Sequence, residues 1–243
     1  LKNRDGEIVI CPKYGKITIL KYFNSANCTI KFEDGTILKN VQYYRVVTNN
    51  VKNPMKPNFF GVGYIGIGKF SMKKESVSRN CINSWTNMLS RAYNKKVLEV
   101  RPNYKDVTVC EEWHNFQNFA KWYKNNYNLE TMKGWQLDKD ILVKGNKIYS
   151  PDTCCFVPQE INQIFTLKSK KSECATSVYK QGNRYVACIR KNSIRSTIGT
   201  YNSIEEAFQA YRIEKENYIK EIANKWKDKI PYNIYDKMIN YEY

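Results

Sequence analysis

The sequence predicts an α+β chain built from several modules, and three observations carry that reading. Short alternating segments bounded by turn residues fill residues 1–50, which is the pattern of antiparallel strands. Apolar residues then recur three and four apart between residues 82 and 123, the period of helices. Finally, three strand-like stretches end at Tyr201 and lead into a helix with its own capping signal. A chain of 243 residues is long for one domain and fits several small ones.

In the first segment EIVI, KITILKYF, CTIKFEDGTILKN and YYRVV read as strands. Asp34-Gly35 lies between alternating stretches, a hairpin signal. So many short strands predict a small SH3-like β-barrel over residues 1–50. TNNVKNPMKPNFF (48–60) carries two prolines and four asparagines and reads as a linker. GVGYIGIGKF (61–70) has no closing Lys-Ser/Thr, so it is not a phosphate loop. It also lacks the paired tripeptides, at their spacing, of the GIY-YIG nuclease signature. Residues 51–76 are therefore expected to be a linker and turn-rich connector.

Two helices follow. Ile82, Trp85, Leu89 and Tyr93 form one stripe, and Trp113, Phe116, Ala120 and Tyr123 form another, in a helix starting near Glu111. Glu111 and Glu112 fall in its first turn, where the helix dipole favours them. His114, the single histidine, points away from the centre of that stripe and reads as a surface residue rather than a general base.

In the last third, strands are expected through SVYKQGNRYVACIRKNSIRSTIGTY, with turns at Gln181–Asn183 and Lys191–Ser193. Ser203 and Glu206 make a capping box, and Ile204, Ala207, Phe208 and Tyr211 give the following helix an apolar stripe. Alternation places Tyr185, Ala187 and Ile189, with Ile194 and Ile198, toward that helix. The opposite face then carries Arg184, Arg190, Arg195 and Thr197. Residues 168–202 hold Lys168, Lys170, Lys171, Lys180, Arg184, Arg190, Lys191 and Arg195 against one acid, Glu173. A sheet of this kind fits the DNA major groove, where arginine takes two guanine acceptors at once. Lys180, Arg184, Arg190, Lys191, Arg195 and Thr197 are the candidate DNA contacts.

Composition agrees with that partner. Lys+Arg number 40 against 23 Asp+Glu, a net charge of +17, and the chain holds 19 tyrosines. Such an excess is best tolerated opposite a polyanion, and aromatic rings suit stacking on bases. An acidic protein partner ranks lower, as does an anionic membrane, since no long basic amphipathic helix is evident. The eight cysteines (11, 28, 81, 110, 154, 155, 174, 188) form no CxxC pair. No structural zinc is therefore expected, and the thiols read as reduced in a cytoplasmic protein. No signal-peptide pattern and no apolar run of about 18 residues is found, so export and a membrane span are not expected.

NRYVACIR (183–190), RSTIGTY (195–201) and SIEEAFQAY (203–211) resemble the apetala-two, ethylene-response-factor type of DNA-binding domain. Tyr185 replaces that family's usual Trp, and Thr197 replaces another aromatic residue, which leaves base preference open. SWTNMLSRAYN (84–94), YKDVTVCEEWHNFQNF (104–119) and LDKDILVKGNKIYSPDTCCFVPQEIN (137–162) resemble the phage HNH-type endonucleases often joined to such a domain. The resemblance implies a ββα-metal core over 77–167, an apetala-two-like domain over 168–230 and a tail over 231–243. It further implies a homing-type, magnesium- or manganese-dependent nuclease acting as a monomer on double-stranded DNA in an infected bacterial cell, with no small-molecule substrate.

By that resemblance Asp138 and Asn162 hold the metal ion, and the catalytic histidine falls on Lys139. Leu137 to Leu142 is expected as the first strand, so that Asp138 and Asp140 share one face and hold the ion jointly. Asn146 in the turn is expected to orient the phosphate. Cys154 to Val157 is expected as the second strand, followed by a helix from Pro158. The alternative is a catalytically inactive, sequence-specific DNA-binding regulator that kept the frame.

Overall fold

The computed structural model describes residues 3–73, 77–165 and 177–243. Lys168, Lys170, Lys171, Glu173 and Cys174 lie outside the described residues. The chain divides into two compact units, residues 1–77 with 114–117 and residues 78–113 with 118–243. Among the described residues no helix is long and apolar enough to cross a membrane.

In the first unit, β1 (Ile8–Cys11), β2 (Gly15–Asn24), β3 (Asn27–Phe32) and β4 (Ile37–Val41) each pair antiparallel with the next. Ile17, Ile19, Cys28, Ile30 and Phe32 form the core of this sheet. The expected closed barrel is corrected to an open four-stranded meander, because β1 and β4 remain its outer strands. A barrel requires every strand to have two neighbours. YYRVV is not a strand but α1 (Tyr43–Val47), a short helix that buries Val46 in the same core. Burial there outweighs the strand preference of Val and Tyr. The Thr48 hydroxyl donates to Tyr44 O at 2.6 Å at its C-terminal end.

The glycine-rich stretch has a packing explanation. Tyr64 bridges Asn115. The Gln117 side-chain amide donates to Ile65 O (2.9 Å) and Phe70 O (2.7 Å) and accepts from Phe70 N (3.0 Å). A Cβ on Gly66 would collide with the Asn115 side chain, and one on Gly68 with that of Gln117. Gly66 also has φ +74°, which disfavours other residues. Gly66→Ala is expected to destabilise the protein by about 1–3 kcal/mol. Gly61→Ala, with similar φ but open space around it, is expected to cost less. Urea titration of both variants checks the difference.

The second unit begins with α2 (Arg79–Tyr93), N-capped by Ser78, whose side chain accepts from Cys81 N. Ile82, Trp85 and Leu89 are buried as the stripe predicts. The Tyr93 hydroxyl binds Val109 O and accepts from Val109 N, pinning the next strand. After α3 (Lys95–Val100) come β5 (Thr108–Val109), α4 (Glu111–His114) and α5 (Phe116–Asn126). The single helix expected from Glu111 is thus broken at Asn115, whose side chain accepts from Gln117 N and restarts the helix. Trp113, Phe119, Trp122, Tyr123, Tyr127 and Phe156 make a continuous set of ring contacts.

Two small sheets carry the central segment. β6 (Gln136–Asp138) pairs antiparallel with β8 (Cys155–Val157), and β7 (Ile148–Tyr149) pairs parallel with β5. α6 (Gln159–Phe165) follows Pro158. The first strand therefore stops at Asp138 instead of reaching Leu142.

β9 (Val178–Gln181), β10 (Arg184–Lys191) and β11 (Ile194–Tyr201) form an antiparallel sheet in the order β11-β10-β9. α7 (Ile204–Trp226) packs on it through Ala207 and Tyr211 against Val178 and Ala187. Glu206 N donates to Ser203 Oγ, and the Glu206 carboxylate accepts from Asn202 N rather than from Ser203 N. The expected tail is instead α8 (Tyr232–Ile239) plus closing residues: Tyr243 packs on Phe208 and Tyr211, and its carbonyl accepts from Arg212.

α7 outruns its sheet and docks on α6. Lys215 Nζ donates to Ile164 O (2.6 Å), near the C-terminus of α6, where the helix dipole favours a cation. Lys225 Nζ and Trp226 Nε1 both reach the Glu160 carboxylate (2.8 and 2.7 Å), and Trp226 meets Trp135 edge-on. Sheet and central segment thus belong to one unit.

Candidate nucleic-acid interface and central acidic cluster

Register decides which side chains share each face of the C-terminal sheet. Arg190 pairs with Arg195, Cys188 with Thr197, and Val186 with Thr200 and Tyr179. These residues share the face turned away from α7, and Arg184 is on the same side of β10. Arg184, Arg190, Arg195 and Thr197 are all exposed. Val186 and Cys188 between them are buried, so what this face exposes is mainly polar and basic. Arg195 lies over the Tyr179 ring at 5.0 Å, a cation–π contact that sequence reasoning missed because Tyr179 was not assigned to a face. The Arg184 guanidinium donates to Thr200 O at 3.3 Å.

Two of the candidate DNA contacts stand elsewhere. Lys191 is paired with Ile194 and turns toward α7, where its ammonium meets Glu214 (2.9 Å), Glu221 (3.6 Å) and the face of Tyr218. Its hydrogen bond to Glu214 holds its pKa above the ordinary lysine value. Lys180 pairs with Tyr185, which also packs toward the helix. Register thus puts Lys180 and Lys191, counted as candidate contacts by their charge, on the side toward α7 rather than with Arg184, Arg190 and Arg195. Ile194, expected to pack on the helix, is 69% exposed. A bulge between Ala187 and Cys188 leaves Ile198 as the extra residue of β11, and Ile198 packs inward.

No carboxylate among the described residues forms an ion pair with Arg184, Arg190 or Arg195. Like charges directly opposite on paired strands are destabilising. Among the described residues, Lys191 is thus neutralised by α7 while the arginine pair on the other face has no acidic partner.

In the central segment, Asp138 is the last residue of β6 and is buried. Its Oδ1 accepts from Asp140 N (2.8 Å) and Ile141 N (2.9 Å), bending the chain out of the strand. Asp140 therefore does not share a strand face with Asp138, which corrects the expected carboxylate pair. Lys139 is 6% exposed, and its ammonium donates to Asp140 Oδ1 (2.5 Å) and Asn146 O (2.7 Å) above the Tyr149 ring. It presents hydrogens rather than a lone pair, which does not suit the role of base.

The Asn146 side chain donates to Lys139 O and Ile148 O and accepts from Ile148 N, so it closes the loop instead of facing a phosphate. Asn162 Nδ2 donates to Gln136 Oε1 at 2.5 Å. Arg91 joins the cluster. Burial pulls its pKa down, but Tyr149, Tyr104 and Asp138 outweigh that and hold it above the usual value. Its signal in the sequence is an arginine three residues after Met88, on the buried side of α2. Burial also pushes the Tyr149 hydroxyl up, and the Cys154 thiol to about 12, so Cys154 is no nucleophile.

These residues do not fit a divalent ion as arranged. Asp138 Oδ1 serves two amides, and Asp140 Oδ1 serves the Lys139 ammonium. Among the described residues no group of three His, Cys, Asp or Glu side chains converges.

Burial, opposed by the two amides, raises the Asp138 pKa above the ordinary carboxylate value. A carboxyl held high in the folded state contributes most below its unfolded pKa of about 3.9, and that contribution is lost as pH rises through the folded value. The stability of wild type relative to Asp138→Asn is therefore expected to fall as pH rises from 4 toward 7. Urea unfolding at several pH values checks the sign.

Compared with models of known protein families, with curated proteins and with solved structures, the chain matches none.

Proposed function

We propose that this chain binds double-stranded DNA through the outer face of β9, β10 and β11, using Arg184, Arg190, Arg195 and Thr197. The observation that carries the reading is the Arg190–Arg195 cross-strand pair, exposed and, among the described residues, without a carboxylate partner, beside a Lys191 that has two. An anion between the two guanidiniums relieves their repulsion, and DNA offers phosphates and guanine edges in that geometry. The net charge of +17 supports the same partner. On this reading the central segment is a scaffold that fixes the sheet through α6 and α7, and the protein acts as a DNA-binding regulator.

A second reading, metal-dependent cleavage of DNA by an HNH-like core, is favoured by one observation. The Asn162 bond to Gln136 sets α6 beside β6, and alternation puts Gln136 on the same side of that strand as Asp138. This reading requires Asp138, Asp140 and Asn162 to rearrange before they hold an ion, in the setting of a phage or mobile-element nuclease.

One experiment tests both. The full chain is titrated with duplex DNA over a salt series, then incubated with genomic DNA and Mg²⁺ or Mn²⁺, and any new ends are sequenced. Salt-sensitive affinity without new ends supports the binding reading. Metal-dependent ends at defined sites support the nuclease reading, and absence of affinity contradicts both.

A further inference from the structure

We propose that Lys139 is a built-in counter-cation for the acidic cluster at the end of β6, so that the central segment keeps its structure with no metal ion. The proposal does not depend on DNA binding.

The first support is charge balance. Asp138 and Asp140 bring two negative charges, and Lys139 with Arg91 brings two positive ones. A divalent ion added to that set would leave an excess of two positive charges beside the buried Asp138 and Lys139, where uncompensated charge is costly.

The second support is geometry. The ammonium is enclosed by a carboxylate oxygen at 2.5 Å, a carbonyl oxygen at 2.7 Å and the Tyr149 ring at 5.9 Å. Two oxygens and an aromatic face are what a bound cation seeks. Asn146 fixes this cage, since its side-chain amide holds Lys139 O while its own carbonyl receives Lys139 Nζ. The loop from 139 to 146 is therefore closed at both ends by one lysine–asparagine pair.

The third support is the short strand. Asp138 Oδ1 accepts from Asp140 N and Ile141 N, which ends the strand at Asp138, directly before the buried Lys139. The bend and the internal cation belong together.

The test compares wild type, Lys139→Met, Lys139→Arg and Lys139→Met/Asp140→Asn as full chains. Thermal midpoints are read in EDTA, Mg²⁺ and Mn²⁺, with Mn²⁺ binding followed by electron paramagnetic resonance. Wild type is expected to show one midpoint under all three conditions and no stoichiometric Mn²⁺. Lys139→Met is expected to melt lower in EDTA and to rise with Mn²⁺. That rise is expected to vanish when Asp140 is also neutralised, and Lys139→Arg is expected to stay indifferent to metal.

If Lys139→Met does not fold in EDTA, recovery by Mn²⁺ supports the proposal, and failure to recover while Lys139→Arg folds contradicts it. Wild-type binding of one Mn²⁺ overturns it. So does a Lys139→Met variant as stable as wild type and blind to metal.

Discussion

Duplex affinity is expected to collapse when Arg184, Arg190 and Arg195 are replaced together by alanine. Each arginine that reads a guanine contributes about 1–3 kcal/mol at a cognate site, so the triple variant should bind at least about 100-fold more weakly. Each arginine that instead meets a phosphate changes the slope of log affinity against log salt by about 0.9. The two roles separate on unrelated sequences: loss of a base contact flattens site preference, and loss of a phosphate contact weakens all duplexes alike. Lys191→Ala serves as the control, because Glu214 and Glu221 already hold its ammonium on the opposite face. It should bind within a few-fold of wild type. Fluorescence anisotropy over a salt series measures all of this. The triple variant should not melt lower than wild type, since the three side chains are exposed and two of them repel each other.

The second large effect concerns stability. Trp85 is fully buried, and its Nε1 donates to Trp113 O at 2.7 Å, tying α2 to α4. Trp85→Ala is expected to cost about 3–5 kcal/mol through lost burial and a residual cavity. It also leaves the Trp113 carbonyl without that donor, a further penalty of about 1–3 kcal/mol. A domain of ordinary stability has about 5–15 kcal/mol in all, so the variant should be largely unfolded near 37 °C. Trp85→Phe keeps most of the volume and loses the bond, so it should fall between. Urea unfolding followed by tryptophan fluorescence and far-ultraviolet dichroism ranks the three.

The C-terminal sheet was the most legible part of the sequence. In NRYVACIR the two-residue period puts Ala187 toward α7 and Arg184 and Arg190 on the exposed side, although Val186 and Cys188 on that side are buried too. The faces of Lys180 and Lys191 were not legible, because a run of basic residues carries no register; only cross-strand pairing assigns a face. The α2 stripe was legible for the same periodic reason.

Where local side-chain bonds overrule periodicity, the sequence misleads. Asn115 restarts a helix that its neighbours would continue, and Asp138 ends a strand that hydrophobic Ile141 and Leu142 suggest should run on. Val46 draws YYRVV into a helix through a contact with residues far away in sequence. The glycines of GVGYIGIGKF were readable as turns, but their reason, room for Asn115 and Gln117, needs coordinates. Arg91 and Tyr149 meet across almost 60 positions, and no short motif joins them.

The claim that the outer sheet face holds DNA is tested most directly by photo-crosslinking from single positions on the two faces. A photoreactive residue at Thr197, on the outer face, should capture bound duplex efficiently. The same residue at Ser196, one position along and paired with Ile189 on the helix side, should capture little, as should one at Lys180. Equal capture at all three positions, or stronger capture at Ser196 and Lys180, would contradict the account.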